Sequence, residues 1–174
     1  SEANLHGANL SNANLTKANL TDVTLHKAKL TKANLSEANL SNTNLNEADL
    51  SNADLRGAKA SNTTTMIGAD LSGANLNGAI LNSVNMDRVN LSKAKLSKTK
   101  LNKAKLRDAN LAEADFFVFM NEYYKTDHIA DLTGANLGKA NLRKANLLKA
   151  NMPWTDLSNT NLSDAELSGA NLEY

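Results

Sequence analysis

The sequence predicts an all-β solenoid, in which the chain turns once every five residues and four turns close one coil. Three observations predict it. A leucine stands at every fifth position from Leu5 to Leu55, a small residue precedes each by two places, and opposite charges recur twenty residues apart. Of the 174 residues, 41% are hydrophobic but only 4% are aromatic. The apolar set is mostly Leu and Ala, which suits a repetitive core in one domain.

A period of five excludes the continuous regular structures. In an α-helix, five residues advance by about 500°, so successive leucines would point to every side. In a continuous strand, an odd period sends successive leucines to opposite faces. A chain that buries every leucine must therefore turn once per repeat. The small residue and the leucine point inward, the residue between them points outward, and the last two residues form a corner.

The corner residues support this prediction. Glycine is typical two places after a central residue, where a type II turn needs a positive φ. Corners that carry Lys, Glu or Ser at this place are expected to use another turn type. The single proline, Pro153, directly follows Met152 and pre-sets φ at the first corner position. Seven of the eight glycines occupy the favoured place: Gly7, Gly57, Gly68, Gly73, Gly78, Gly134 and Gly169.

The repeat A-[N/D]-L-x-x, as in Ala8-Asn9-Leu10 and Ala48-Asp49-Leu50, resembles the pentapeptide-repeat family over nearly the whole chain. The resemblance implies a right-handed quadrilateral parallel β-helix with four pentapeptides per coil. Residues 1–174 would then form a single domain of about eight coils. The resemblance also implies a cyanobacterial type of protein, whereas the functions of family members are diverse.

A four-sided coil brings residues twenty apart into adjacent coils, about 4.8 Å from each other. Opposite charges are mildly favourable there. Such exposed pairs are expected to fix the register more than the stability. Eight pairs of opposite sign occur at this spacing: Lys17–Glu37, Lys27–Glu47, Lys29–Asp49, Asp87–Arg107, Arg88–Asp108, Lys93–Glu113, Lys95–Asp115 and Lys144–Asp164.

The period is interrupted twice. Six residues separate Ala60 from Met66, so one extra residue near 61–63 predicts a bulge or a loosened corner. The second interruption, at 117–130, lacks any A-x-L triplet. It is either three degenerate faces with one insertion or a shorter path with a loop thrown out, and the missing triplets favour the loop.

Aromatic residues concentrate in the second interruption. Functional sites favour loops on rigid scaffolds, so a protein-binding role is one hypothesis for this segment. The alternative is that its aromatic side chains pack back on the solenoid wall. The candidate binding residues are Phe117, Phe119, Tyr123 and Tyr124.

Composition and geometry argue against several functions. A net charge of +1 gives no overall attraction to nucleic acid or anionic membranes. No apolar run is long enough for membrane insertion. A convex prism offers no concavity for catalysis, so we expect no enzyme and no cofactor. His6 and His26 should stack, but two surface histidines are weak ligands and predict no metal site. His128 has no partners placed for a catalytic triad.

We therefore favour a non-catalytic structural scaffold or protein-interaction module. The alternative is a topoisomerase- or gyrase-binding DNA mimic, a role of some family members, and an enzyme ranks below both. A mimic needs an unbroken acidic face, whereas nearly every carboxylate here has a stacked Lys or Arg. The lysines of 93–105 should form a solvated belt around one coil and bind no nucleic acid.

The ends and the compartment complete these expectations. Bare coil ends expose strand edges, so we expect either a capping segment outside this chain or end-to-end self-association. The sequence has no cysteine, which leaves the redox compartment open. We expect a soluble protein whose compartment the sequence leaves open: the cytoplasm, or the periplasm or thylakoid lumen if a leader was removed.

Overall fold

The computed structural model describes residues 3–117 and 130–173. Within these ranges no helix occurs, and single-residue parallel bridges take the place of longer strands. The outward residue of each repeat bridges the outward residue one coil further on, as Asn4 bridges Thr24 and Thr24 bridges Asn44. The bridges form four columns, which we number face 1 to face 4 in chain order. The chain is the predicted right-handed quadrilateral β-helix, and its bridges span eight coils.

The members of each column, from coil 1 to coil 8, define the faces. Face 1 carries Asn4, Thr24, Asn44, Thr65, Asn85, Lys105, Asn136 and Asp156. Face 2 carries Asn9, Lys29, Asp49, Asp70, Asn90, Asn110, Asn141 and Asn161. Face 3 carries Asn14, Asn34, Asp54, Asn75, Lys95, Asp115, Asn146 and Glu166. Face 4 carries Asn19, Asn39, Lys59, Ile80, Lys100, Asp131, Asn151 and Asn171.

The spacing between bridged residues shows where the chain departs from the period. It is twenty residues through most of the rod but 21 where the chain crosses 61–63, as between Asn44 and Thr65. It is 31 across 118–129, as between Lys100 and Asp131. After the bridge of Asp115 on face 3 in coil 6, the next bridged residue is Asp131 on face 4. Since 31 exceeds 20 by 11, eleven residues beyond a regular coil separate these bridges.

Every regular corner in the described ranges is the same β-turn. The N–H of the next small residue donates to the carbonyl of the central residue, as from Ala8 to Leu5 at 3.0 Å. The third turn residue has a φ of +63° to +71° where it is glycine and +56° to +61° in 22 other residues. A turn in which the third residue, and not the second, has a positive φ is a type II turn.

The expectation that Lys, Glu and Ser corners use another turn type was wrong. Glu37 and Ser83 adopt the same left-handed backbone as the glycines, with φ of +58° and +60°. A side chain there costs about 1–2 kcal/mol. The backbone is held in place because the N–H of the same residue donates to the next coil. Glu37 donates to the carbonyl of Arg56 at 2.7 Å, and Ser83 to that of Asn102 at 2.8 Å.

The core consists of stacked central and small residues. The predicted central column Leu5, Leu25, Leu45, Met66, Met86 and Leu106 is confirmed, because each member directly follows a bridged residue of face 1. Buried threonines at the small inward position donate their hydroxyl to a carbonyl, as Thr43 does to Leu20 at 2.9 Å. Most leucines of the end coils are only partly buried: Leu5, Leu10, Leu15, Leu157, Leu162 and Leu167.

Candidate binding surface

The outward Asn or Asp of a repeat completes the backbone hydrogen bonding of its corner. In residues 35–39, four N–H groups donate to backbone carbonyls. The fifth, that of Ser36, donates to Oδ1 of Asn34 at 3.0 Å. The same bond recurs along the chain, for example from Ser11 to Asn9 at 3.1 Å. The Asn or Asp of the motif is therefore a cap for the first corner residue, a role that the consensus alone did not reveal.

Where a lysine replaces this Asn or Asp, the preceding coil can supply the cap. Lys100 cannot cap Asn102, and the N–H of Asn102 instead donates to Oδ1 of Asn82 at 3.1 Å. In the same way Ser97, which follows Lys95, donates to Asn77 at 3.1 Å. An Asn or Asp twenty residues before an uncapped corner residue is the sequence signal for this arrangement. A lysine at the outward position then no longer deprives the corner of its hydrogen bond.

One side of the rod is bound together by polar pairs. We call it the face 2 flank, which is face 2 with the corners before and after it. Side-chain amides form a ladder in which Asn90 donates to Asp70 at 3.0 Å and Asn110 donates to Asn90 at 3.0 Å. Asn141 extends the ladder to Asn110 at 3.3 Å. The flank also holds four ion pairs: Lys27–Glu47 at 3.5 Å, Lys93–Glu113 at 3.9 Å, Arg107–Asp87 at 3.1 Å and Arg143–Asp164 at 4.0 Å.

The predicted charge pairs are confirmed in part. Lys27–Glu47, Asp87–Arg107 and Lys93–Glu113 form ion pairs as expected, and Lys17–Glu37 does so at 3.6 Å. Asp164 pairs with Arg143 instead of Lys144, because Arg143 lies at the adjacent corner position and its longer side chain reaches the carboxylate. Lys29–Asp49 and Lys95–Asp115 are bridge partners whose side chains form no ion pair in the described structure. Arg88–Asp108 forms none there either.

Partly buried outward carboxylates accept hydrogen bonds from the corners of their own repeats. Partial burial would raise the pKa of Asp49, but hydrogen bonds from Ser51 and Thr31 and the charge of Lys29 lower it below its ordinary value. Burial likewise opposes ionisation of Asp131, yet hydrogen bonds from Thr133, Asn102 and Asn151 lower its pKa. These carboxylates are therefore charged acceptors that serve the fold.

The opposite side of the rod differs in composition. We call it the face 4 flank, which is face 4 with the corners before and after it. Its outward apolar side chains are Ile80 on the face, Phe117 and Leu148 at one corner, and Trp154 at the other. Trp154 is 69% exposed. Six exposed lysines lie here. Lys17 pairs with Glu37 in the corner column before face 4 at 3.6 Å. The other five form no ion pair within the residues that the structure describes: Lys59, Lys98, Lys100, Lys103 and Lys149.

Both departures from the period adjoin this flank. The extra residue at 61–63 follows Ala60, the central residue of face 4 in coil 3. The segment 118–129 lies between the last described residue of face 3 and the return of the chain to face 4. The face 2 flank carries no such departure. The predicted lysine belt is confirmed too, because the lysines of 93–105 occupy successive corners and faces around the rod.

The candidate residues from the sequence fall partly within the structure. Phe117 is half-buried, and its N–H donates to Oδ1 of Asp115 at 3.0 Å. Its carbonyl accepts from the hydroxyl of Ser97. The other three candidates lie outside the described residues: Phe119, Tyr123 and Tyr124.

The stacked histidines are confirmed as neighbours. The rings of His6 and His26 have centroids 5.1 Å apart at 34°. Nδ1 of His26 hydrogen-bonds the carbonyl of Asn46 at 2.8 Å. Within 3–117 and 130–173, no group of three or more His, Cys, Asp or Glu residues is arranged to hold a metal. His128 lies outside the described residues.

A shallow depression of about 330 Å³ lies over the bare corner at Gly68, beside His26, Glu47 and Arg88. It belongs to the face 2 flank. Several of its polar groups already have partners within the protein: Glu47 forms an ion pair with Lys27, and the carbonyl of Asn46 is hydrogen-bonded to His26. Among the described residues, no helix has the length and apolar character needed to cross a membrane.

Comparison with known proteins places the chain among repeat proteins. The family model for pentapeptide repeats matches eight copies, over residues 1–36, 33–64, 69–108, 90–116 and 130–164. None of the curated proteins matches the chain. The solved structure of HetL, a pentapeptide repeat protein involved in heterocyst differentiation regulation in the cyanobacterium Nostoc sp. strain PCC 7120, is 34% identical. That match covers 97% of this chain and 84% of HetL, with a TM-score of 0.35.

Two further structures show the same repeat or the same fold. QnrB1, a plasmid-mediated fluoroquinolone resistance protein, is 17% identical over 99% of this chain and 84% of its own, with a TM-score of 0.68. Rfr23, a pentapeptide repeat protein of the cyanobacterium Cyanothece 51142, is 27% identical over 76% of this chain and 86% of its own, with a TM-score of 0.28.

Proposed function

Because the chain belongs to the pentapeptide-repeat family, we propose that it works as a non-catalytic scaffold: a single solenoid domain that presents a protein-binding surface. The observation that carries the proposal is the difference between the two flanks. On the face 2 flank, polar side chains are engaged in ladders and ion pairs. The face 4 flank has an ion pair between coils 1 and 2, Lys17–Glu37, and an amide ladder in coils 6 to 8. In its middle coils, 4 and 5, Ile80 and three lysines, at 98, 100 and 103, point outward and form no ion pair in the described structure.

The geometry favours binding over catalysis. The described polar groups mostly serve as caps, ladder members or members of ion pairs, and the wall is convex. Catalysis by acid, base or nucleophile needs several such groups converging on one point. Large exposed surfaces that combine charge with apolar side chains are instead typical of protein interfaces.

DNA mimicry is less well supported. A mimic would present carboxylates at phosphate-like density along one face. Face 2 brings Asp49 and Asp70 together, but amides follow them in coils 5 to 8, where Asn90 already donates to Asp70. Likeness to QnrB1 at 17% identity concerns the fold alone. We therefore expect no inhibition of gyrase supercoiling at micromolar protein.

The test is affinity capture from extracts of the source organism. Wild type is compared with Lys98→Gln/Lys103→Gln on the face 4 flank and with Lys32→Gln/Lys144→Gln on the face 2 flank. All four lysines occupy the third turn position with positive φ, so the variants are matched in charge and backbone. A partner kept by the second variant and lost by the first supports the proposal. Equal capture by both variants, or no specific partner, would contradict it.

The aromatic candidates of 117–130 stay part of this proposal. The same capture with Phe119→Ser and Tyr123→Ser asks whether they add to the contact. Loss of the partner with an unchanged far-UV spectrum would support a binding role. End-to-end self-association also stays a prediction, which sedimentation at several protein concentrations tests.

A further inference from the structure

Ile80 is the exception among the outward residues of the rod. Across the described bridges, all other members of the four columns are Asn, Asp, Thr, Lys or Glu. Ile80 lies on face 4 in coil 4 and is half-buried. An isoleucine cannot accept the N–H of Asn82, and no side chain of the described structure takes over this bond. Ile80 therefore leaves the N–H of Asn82 without the cap that most repeats supply.

The surroundings of Ile80 leave its side chain accessible. The third turn residues on either side, in the same coil, are Gly78 and Ser83. A Cβ placed on Gly78 would meet no atom within 4 Å, so that corner is open space. In the column of face 4, Ile80 lies between Lys59 and Lys100. Ile80 therefore forms an apolar spot between two corners with small side chains, with one lysine in the preceding coil and one in the next coil.

Lysines frame this spot on two levels. Lys59 and Lys100 each lie one coil step of about 4.8 Å from Ile80 along the rod. Lys98 and Lys103 occupy the corners of the same coil as Lys100 and are exposed. The nearby carboxylate of Asp131 bridges Lys100 but is held by Thr133 and Asn151.

We infer that Ile80 and its framing lysines bind an acidic protein segment in an extended conformation, with one apolar side chain seated on Ile80 and carboxylates before and after it. This inference rests on the proposed function and names the chemistry of the partner. In an extended segment, residues two apart point to the same side and lie about 6.6 Å apart. Glutamates two places before and after a leucine would therefore reach the lysines along the rod when the leucine covers Ile80.

The chemistry favours this partner over a nucleic acid. Single-stranded nucleic acids bind by stacking bases on aromatic side chains, and an isoleucine offers no such surface. Membrane surfaces attract clusters of lysines through anionic lipids, but they reward several inserted apolar side chains, whereas Ile80 is half-buried in a low spot. Both alternatives become outcomes of the test.

The probe is a fluorescent peptide with the central sequence Glu-Ser-Leu-Ser-Glu, whose binding to the full chain is followed by anisotropy. The decisive variant is Ile80→Asn, which restores the residue type of the repeat and supplies the missing cap to Asn82. We expect it to keep or raise the melting temperature and to weaken peptide binding about tenfold. A purely structural role for Ile80 would leave binding unchanged.

Matched controls separate charge from fold. Lys98→Gln/Lys103→Gln should weaken binding and reduce its salt dependence, whereas Lys32→Gln/Lys144→Gln should change neither. A peptide with serine in place of the leucine should bind about as weakly as wild-type peptide binds the Ile80→Asn chain. Equal binding of the peptide to wild type and to Ile80→Asn, or no binding to wild type, would overturn the inference.

Two other probes give the remaining outcomes. The first is a single-stranded oligonucleotide, and the second is a vesicle of phosphatidylserine and phosphatidylcholine. If either binds more tightly than the peptide, and Ile80→Asn weakens that binding to the same extent, the site belongs to another class of partner and the inference is overturned. Capture of a partner from extract that survives Ile80→Asn would leave the proposed function in place while this site fails. Loss of all capture by wild type would contradict the proposed function itself.

Discussion

Face 2 and face 4 belong to the same coils and rest on the same core, yet their outer side chains differ in the middle of the rod. On the face 2 flank, the amide ladder from Asp70 to Asn141 joins coils 4 to 7. Ion pairs there also join coil 2 to coil 3 and coil 7 to coil 8. The face 4 flank has a shorter ladder, from Asp131 to Asn171, and one ion pair between coils, Lys17–Glu37. It also carries Ile80, five lysines without ion pairs in the described chain, and both departures from the period. The interior thus determines the fold, polar pairs on face 2 reinforce the stacking in the middle of the rod, and face 4 leaves its outward groups there unpaired in the described chain, as the proposed binding surface requires.

The largest expected effect compares the central residues of the two faces in coil 3. Leu50 on face 2 is fully buried, whereas Ala60 on face 4 is only partly buried beside the extra residue. Leu50→Asp should lower the free energy of unfolding by more than about 3 kcal/mol, because it places an unpaired charge in an apolar stack. Ala60→Asp should cost much less. Urea unfolding measures both, and equal losses would show that the two faces are equally well packed.

The next comparison concerns the outward residues of coil 5. Asn90 on face 2 accepts from Ser92 at 3.2 Å and from Asn110 at 3.0 Å and donates to Asp70 at 3.0 Å. Asn90→Ala should therefore cost about 1–3 kcal/mol. Lys100→Ala, at the matching place on face 4, should stay within about 0.5 kcal/mol. Thermal and urea unfolding decide this, and a large loss for Lys100→Ala would mean that face 4 is structural as well.

A third prediction tests whether the preceding coil supplies the cap where a lysine occupies the outward position on face 4. Asn82→Ala removes the acceptor of the Asn102 N–H and should cost about 1 kcal/mol. Adding Lys100→Asn supplies a new cap from within the repeat, so the double variant should regain most of this loss. A double-mutant cycle measures the coupling. Strictly additive effects would show that the preceding coil does not replace the missing cap.

The smallest expected difference concerns acid. The pKa values of Asp49 on face 2 and Asp131 on face 4 both lie below the ordinary 3.8. A lowered pKa in the folded state adds stability above the unfolded value of 3.8, and that stability is lost as the pH falls through the folded value. Stability should therefore decline below about pH 4, and Asp49→Asn and Asp131→Asn should each flatten the decline. Urea midpoints between pH 2.5 and 7 test this. If only one of the two substitutions flattens the decline, the carboxylate of that face alone contributes to the stability.

Much of the fold was readable from the sequence, because the five-residue period leaves only one way to bury every leucine. The columns and the stacking at a spacing of twenty followed from that period. The turn at Glu37 was mispredicted because local propensity favours glycine, while the bond to the next coil decides the conformation. The borrowed cap from Asn82 was missed because it joins residues twenty apart whose roles appear only in the folded corner.

The proposed binding surface was less predictable. Aromatic residues drew attention to 117–130, of which the structure describes Phe117 and Ala130. Ile80 was visible as an apolar residue in the place of Asn or Asp, between Ala79 and Leu81. The binding role that we propose for Ile80 depends on the open corner at Gly78 and on lysines one coil away. These lysines are close to Ile80 in the folded rod but distant from it along the chain.

The borrowed cap also constrains how such a surface can evolve. Outward lysines at 95, 100 and 105 each follow, one coil later, a corner Asn or Asp at 77, 82 or 87 that caps the affected turn. A lineage that gained the lysine first would pass through an intermediate with an unsatisfied turn. A lineage that gained the corner amide first would lose nothing. The order of substitutions is thereby biased, and residues eighteen apart, such as Asn82 and Lys100, become epistatic partners in a chain whose repeats look interchangeable.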